Sequence, residues 1–181
     1  MPEPIKFLFL ALPLVLAACK ANPPHTAVRI PDEGTVMLVG TASLDSLQTE
    51  PFDSWYEVNR NEYQPNPEIV ARLKPLLKDV HILLLMATWC KDSKREVPRF
   101  VKILEEAGYP PGSVEMIAVN REKTTPEQFE GGLELLQVPT FIFYRNDEEL
   151  GRIVEFPIED MESDMLKILS GQPYRHAYDW D

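Results

Sequence analysis

The run of residues 80–87 constrains the fold of this chain more than any other segment, because it is apolar at every position except His81. A strand that is apolar on both sides of its pleat must be covered on both faces, as in the centre of a largely parallel sheet. An amphipathic segment follows at about 90–107, with Gly108 and Pro110 as stop signals. The sequence therefore predicts an α/β fold, with a mixed central sheet and helices on both faces.

The segments around this run predict the remaining elements. Strands are predicted at 35–40, 114–119 and 140–144, and a turn at 145–149 returns the chain as a hairpin. Helices are predicted at 67–77, 125–137 and 158–169. Pro75 is expected to kink or divide the first of these, and a capping box at Thr125 with Pro126 begins the second. The aromatic side chains within 41–66 either pack on the domain or line a binding face.

The N-terminus predicts export and lipid attachment. Lys6 precedes an apolar run at 7–18, which is shorter than the roughly 20 residues that a spanning helix needs. The run ends in Leu16-Ala17-Ala18-Cys19, which resembles the lipobox of bacterial lipoproteins. The resemblance implies cleavage before Cys19 and acylation of that residue. A plain secreted protein with an incidental Cys19, or a buried helix, is the alternative.

These features divide the chain into four parts. A signal peptide is predicted at 1–18, a lipid-attached tether at 19–33, a domain at 34–172 and a C-terminal tail at 173–181. The tail either forms a contact patch through its aromatic side chains or, as we prefer, is loose; those side chains are Tyr174, Tyr178 and Trp180.

The charge of the chain bears on its partners. The formal net charge is −11, so nucleic acid is not expected as a ligand, because phosphate contacts need clustered Lys and Arg. Anionic lipids would also repel the chain, so we expect the membrane to be reached through the lipid anchor. The expected location is the bacterial cell envelope, on the periplasmic side. Lys20 follows the lipidated cysteine, which favours the outer membrane.

A motif after the central run carries the chemistry. Trp89-Cys90-Lys91-Asp92-Ser93, Pro98 within the following helix, and Val138-Pro139-Thr140 resemble the thioredoxin family over residues 35–170. The resemblance implies a thioredoxin-like fold with an extra N-terminal segment. It also implies that Val138–Pro139 is a cis peptide bond facing the Cys90 sulfur. A peptide or glutathione would pair with that loop, which makes Val138, Pro139, Thr140 and Lys91 the predicted substrate-binding residues.

The predicted catalytic residues are Cys90, Ser93 and Trp89. A thiol reacts as thiolate, and the N-terminus of a helix stabilises negative charge on its sulfur. Trp89 would shield the sulfur, or is only a core residue, and Ser93 would donate a hydrogen bond to the thiolate. Ser93 stands where the family has a second cysteine, so a mixed disulfide on Cys90 would persist until an outside thiol attacked it. Leu84 stands where the family often has a buried aspartate.

Two functions from different classes follow. The first is monothiol thiol–disulfide exchange, either as a reductase or isomerase or linked to glutathione or another low-molecular-weight thiol as co-substrate. Its partners would be exported protein thiols or disulfides, with no resident cofactor. The second is a non-catalytic thioredoxin-fold binding module at the membrane, in which Cys90 is a buried structural thiol. The three histidines are scattered along the chain, so no metal site is expected.

Replacing Cys19 tests the anchor. Cys19→Ala removes the acylation site, so the protein should move from the membrane fraction to the soluble fraction, because two or more acyl chains anchor far better than one. Fractionation with mass spectrometry of the mature N-terminus measures this. Unchanged membrane association of the variant, with no lipid on the wild type, would exclude the lipoprotein interpretation.

Overall fold

The computed structural model describes residues 26–180. The predicted signal peptide, the lipidation site Cys19 and the tether up to residue 25 lie outside the described residues. The strands are β1 (Val28–Asp32), β2 (Thr35–Ala42), β3 (His81–Met86), β4 (Glu115–Ala118), β5 (Thr140–Arg145) and β6 (Glu148–Val154). The α-helices are α1 (Asp53–Glu62), α2 (Pro67–Leu76), α3 (Lys91–Ala107) and α4 (Met161–Leu169). Short 3-10 helices lie at Leu44–Gln48 and Pro111–Ser113.

Strand β3 lies at the centre of the sheet, as its composition predicts. The six strands form one sheet in the order β1-β2-β4-β3-β5-β6, and β3 runs parallel to β4 and antiparallel to β5. Leu84 and Met86 face one hydrophobic core, whereas Leu83 and Leu85 face the other. Both faces of β3 are therefore buried, and the mixed α/β, thioredoxin-like fold is confirmed.

The two faces of the sheet are covered differently. All four α-helices contribute buried side chains to the larger core, including Tyr56 of α1, Leu73 of α2, Phe100 of α3 and Met165 of α4. The smaller core holds β-strand and loop residues, and an irregular segment packs on it through Phe129, Leu133 and Leu135. The segment 125–137, predicted as a helix, is thus irregular and covers this second face.

That helix prediction is wrong because local side-chain bonds compete with helix formation. The Glu130 carboxylate accepts hydrogen bonds from the backbone N–H and the hydroxyl of Thr125, at 3.1 and 2.7 Å. Gln128 and Glu134 have φ values of 56° and 51°, in the left-handed region. A helix cannot pass through left-handed residues, so 125–137 folds as a series of turns.

Two further elements escape the sequence prediction. Residues 28–32, within the predicted tether, form β1 and pair antiparallel with β2. Helix α1 lies in the segment 41–66, where the sequence gives no clear pattern because Tyr56 is the helix's one buried residue. Pro75 does not divide α2, since the helix continues to Leu76 and ends there.

The C-terminal tail contacts the domain through two of its aromatic side chains, whereas Trp180 is 82% exposed. Tyr174 packs against the larger core, and its hydroxyl donates to the Asp164 carboxylate at 2.9 Å. The Tyr178 hydroxyl donates to the carboxylate of Glu155. Helix α4 begins at Met161, with Asp160 as its N-cap residue, and so starts later than the predicted helix at 158–169. Ile158 precedes the helix, and its backbone N–H donates to the Asp164 carboxylate at 2.5 Å.

Asp164 gives the stability of the fold a pH dependence of unusual sign. Burial raises the pKa of the Asp164 carboxyl above its ordinary value. The folded protein therefore binds more protons there than the unfolded chain, so the unfolding free energy falls as the pH rises through the raised pKa.

Asp164→Asn tests this assignment. The substitution should lower the unfolding free energy by about 1–3 kcal/mol, because it leaves a buried hydrogen-bond donor without an acceptor. The difference in unfolding free energy between wild type and variant should be largest at acid pH and should shrink as the pH rises. Urea unfolding followed by circular dichroism measures this difference. A gap that widens with pH would contradict this assignment.

Candidate functional site

Cys90 is the N-cap residue of α3 and lies beside the loop that contains Pro139. Its backbone is extended, with φ −79° and ψ 131°, and the helix begins at Lys91. The half-buried thiol donates a hydrogen bond to the carbonyl oxygen of Val138 at 3.2 Å. The Val138–Pro139 peptide bond is cis. The predicted cis bond and the position of its loop beside the Cys90 sulfur are thus both confirmed.

Backbone hydrogen bonds fix the turn between β3 and α3. The N–H of Cys90 donates to the carbonyl of Ala87 at 3.1 Å, and the N–H of Lys94 donates to the carbonyl of Cys90 at 3.1 Å. The Thr88 hydroxyl accepts the N–H of Leu38 on β2 at 3.1 Å. The sulfur is therefore held at the end of the central strand, where the unpaired N–H groups of the first helical turn stabilise negative charge.

Ser93 supports this turn from beneath. It is fully buried, and its hydroxyl accepts the backbone N–H of Ala87 at 3.1 Å. This differs from the sequence expectation, in which Ser93 donates to the thiolate of Cys90. No hydrogen bond joins Ser93 and Cys90, both of which lie among the described residues. Ser93 positions the turn rather than the sulfur itself.

The charges around Cys90 are largely paired. Arg95 contacts the carboxylates of Asp92 at 2.6 Å and of Glu96 at 2.5 Å, so its charge is neutralised. Lys91 is exposed and Lys94 is half-buried. Within residues 26–180 neither lysine takes part in an ion pair or a hydrogen bond. Two lysines therefore remain as the unpaired cations next to the thiol.

Trp89 is held on two sides. Its indole N–H donates to the carbonyl of Val119, at the end of β4, at 3.2 Å. The guanidinium of Arg121 lies 5.5 Å from the centre of the indole ring. Arg121 in turn bonds Asp32 at 2.7 and 3.2 Å and Glu33 at 2.8 Å. Sequence reasoning missed Arg121, because only the tertiary fold brings residues 32 and 121 together.

The loop around Pro139 presents backbone rather than side chains. Val138 and Pro139 are buried, and the Pro139 carbonyl accepts the N–H of Glu155 at 2.7 Å. The Thr140 hydroxyl donates to the carbonyl of Gln137 at 2.7 Å, and Thr140 is 1% exposed. The Thr140 side chain is therefore enclosed by the domain, and the part of Thr140 in substrate binding stays a prediction.

Two other kinds of feature are absent from the described residues. Residues 26–180 hold no group of three or more His, Cys, Asp and Glu side chains arranged to bind a metal ion. Nor does this part of the chain contain a helix long and apolar enough to cross a membrane.

The sequence of this chain matches a known protein family. A family model described as Thioredoxin matches residues 47–166, about two thirds of the chain. The chain belongs to the thioredoxin family. The match begins after β2, so the β1–β2 hairpin that holds Arg121 lies outside the thioredoxin segment, as does the C-terminal tail.

Two individual proteins are similar to this thioredoxin-family chain. A thioredoxin-like protein of Acanthamoeba polyphaga mimivirus is 26% identical over 90 residues, which cover 50% of this chain and 63% of that protein. The chain thus spans less than two thirds of that relative. The crystal structure of a protein of unknown function from Pseudomonas aeruginosa has a TM-score of 0.57 and 14% identity, and the match covers 74% of this chain and 93% of that one. At that identity the structure supports the fold alone.

Ser93 gives a test of how the turn is held. Ser93→Ala leaves the buried N–H of Ala87 without its acceptor, which should lower the unfolding free energy by about 1–3 kcal/mol. Chemical denaturation measures this. Ser163→Ala, at a half-buried position in the first turn of α4, is the control, because the Ser163 hydroxyl forms no hydrogen bond with any of residues 26–180. An Ser93→Ala protein as stable as the wild type would contradict the supporting role.

Proposed function

We propose that this thioredoxin-family protein carries out thiol–disulfide exchange with Cys90 as its one reacting thiol. The observation that supports this best is the placement of the Cys90 sulfur at the N-terminus of α3, half-exposed and 3.2 Å from the Val138 carbonyl. The whole chain has one other cysteine, Cys19, which we propose is lipidated. No second thiol then remains for a dithiol cycle.

The reaction has two balanced steps. Cys90 loses its proton to solvent, and the thiolate attacks one sulfur of a disulfide. The S–S bond of the substrate breaks, a mixed disulfide with Cys90 forms, and the departing sulfur leaves as a thiolate that takes a proton from water. In the second step an outside thiolate attacks the mixed disulfide. A new disulfide leaves, and Cys90 is regenerated as thiolate. No net oxidation occurs on the protein.

The loop beside Cys90 supplies the contact for the substrate. In the resting thiol the Val138 carbonyl accepts the S–H of Cys90. When the thiol loses its proton, that carbonyl loses its donor and can accept a backbone N–H of the substrate. A peptide that pairs with Val138 is thereby brought next to the sulfur that attacks it.

The resolving thiol must come from outside, since Ser93 carries a hydroxyl and its side chain is fully buried. We propose glutathione or another low-molecular-weight thiol for this step, and exported protein thiols or disulfides as the partners. The lipobox-like segment that ends at Cys19 supports a location in the bacterial cell envelope, on the periplasmic side of a membrane.

Incubation with oxidised glutathione tests the proposal. The purified protein should form a one-to-one adduct on Cys90, detected by mass spectrometry, and the adduct should persist until an external thiol is added. Cys90→Ser should form none. A Cys90 thiol that resists alkylation in the native state and reacts only after unfolding would instead favour the non-catalytic binding module.

A second variant separates the two thiol positions. In Ser93→Cys the new sulfur lies three residues after Cys90 in the first turn of α3, within the spacing that a disulfide spans. The variant should release bound glutathione by forming an intramolecular disulfide, and its turnover in a disulfide-reduction assay should rise. The control is Ser93→Ala, which loses the same hydroxyl and should keep the persistent adduct. Equal behaviour of the Cys and Ala variants would contradict the proposed geometry.

A further inference from the structure

A cleft of about 240 Å³ opens beside the active-site turn, and the reaction proposed above does not use it. Trp89 lines the cleft, as does Lys94 one turn into α3. The opposite walls come from the β1–β2 turn and from Phe52 and Trp55 near the start of α1. The cleft therefore begins at the residue that directly precedes the reactive cysteine.

The walls of the cleft suit a small ligand with an apolar body. Phe52, Trp55 and Trp89 all line it, and the ring centres of Phe52 and Trp55 lie 6.4 Å apart. Small-molecule sites combine such apolar and aromatic walls with a few placed polar groups. The volume is below the roughly 300–1,000 Å³ typical of drug-sized ligands, so the occupant is a small molecule or part of one.

The charges of the cleft identify the ligand's polar group. The charge of Arg121 is balanced by two carboxylates, because its Nε and Nη2 bond Asp32 and Glu33, and its guanidinium lies against Trp89. Lys94 is half-buried and, among the described residues, has no ion pair or hydrogen bond. Its ammonium is therefore the cation in the cleft that remains available, and a carboxylate is the group that it would pair with.

We infer that this cleft binds the carboxylate end of a low-molecular-weight, peptide-like thiol whose sulfur reacts at Cys90. The inference rests on the proposed function and names its co-substrate class. The carboxylate pairs with Lys94, and the apolar part of the molecule packs on the aromatic rings. A tripeptide spans about 10 Å when extended, and Trp89, which lines the cleft, directly precedes Cys90 in the chain.

Paired probes test the carboxylate contact. The rate of Cys90 modification is measured with oxidised glutathione and with the disulfide of glutathione diethyl ester, which reacts through the same kind of disulfide but has both carboxylates of each glutathione esterified. In the wild type the charged probe should react about two- to fivefold faster. In Lys94→Gln the two rates should become equal. Because each ratio is taken on one variant, any change in the reactivity of the thiol itself cancels.

Two other lysines sharpen the comparison. Lys78→Gln makes the same change in net charge before β3, at the end of that strand opposite to Cys90, and it should keep the wild-type ratio. Lys91→Gln removes a cation next to the sulfur but outside the cleft. The ratio should fall less for Lys91→Gln than for Lys94→Gln. An equal fall in both would indicate general attraction near the thiol and would overturn the cleft assignment.

A binding measurement separates this inference from the proposed function. In Cys90→Ser, S-methylglutathione cannot exchange, and its binding is followed through tryptophan fluorescence, since Trp55 and Trp89 line the cleft. Saturable binding that Lys94→Gln weakens supports the cleft, even if the wild type proves inert toward disulfides. Exchange at Cys90 without any such binding would overturn the cleft inference and leave the proposed function standing.

Discussion

The burial of β3 on both faces is the constraint on which the rest of the structure depends. Because the side chains on both faces of this strand are packed in the two cores, the end of the strand is fixed. The turn that follows is held by the hydrogen bonds of Cys90 and Ser93 to Ala87. Helix α3 then starts where the strand stops, which places a thiol at the positive end of a long helix. A core-packing requirement thus determines the position of Cys90, the one free cysteine among the described residues.

The site combines a fixed sulfur with a fixed backbone partner. The Val138 carbonyl lies within hydrogen-bond distance of Cys90, and the Pro139 carbonyl is anchored by Glu155 on the far side of the loop. Neither the sulfur nor the loop needs to move far to meet a disulfide. Ser93 is buried and bonded to the turn, so it supports the turn and does not supply a second reacting group. The chemistry that we propose therefore centres on a single thiol, with an outside thiol resolving its intermediate.

The surroundings of the site come from parts of the chain beyond the thioredoxin match. The β1–β2 turn supplies Asp32 and Glu33, which hold Arg121 against Trp89 and close one wall of the cleft. The tail brings Tyr178 to Glu155, the residue that bonds Pro139. The matched segment carries Cys90, whereas these added segments shape what surrounds it. They are where this chain would acquire a preference for particular partners.

The sequence by itself determined the elements whose patterns are local. The apolar run before Trp89, the stop at Gly108 and the motif at Val138 and Pro139 were enough to predict β3, α3 and the loop beside the sulfur. Tertiary structure decided the rest. The segment 125–137 forms turns and not the expected helix, because the Glu130 carboxylate bonds Thr125. Helix propensity does not show whether such a side-chain bond will replace the helical hydrogen bonds. Strand β1 exists only through its pairing with β2, and the Arg121–Asp32 contact joins residues 89 positions apart. Local periodicity encodes which residues are buried, but only the folded chain brings distant charges together.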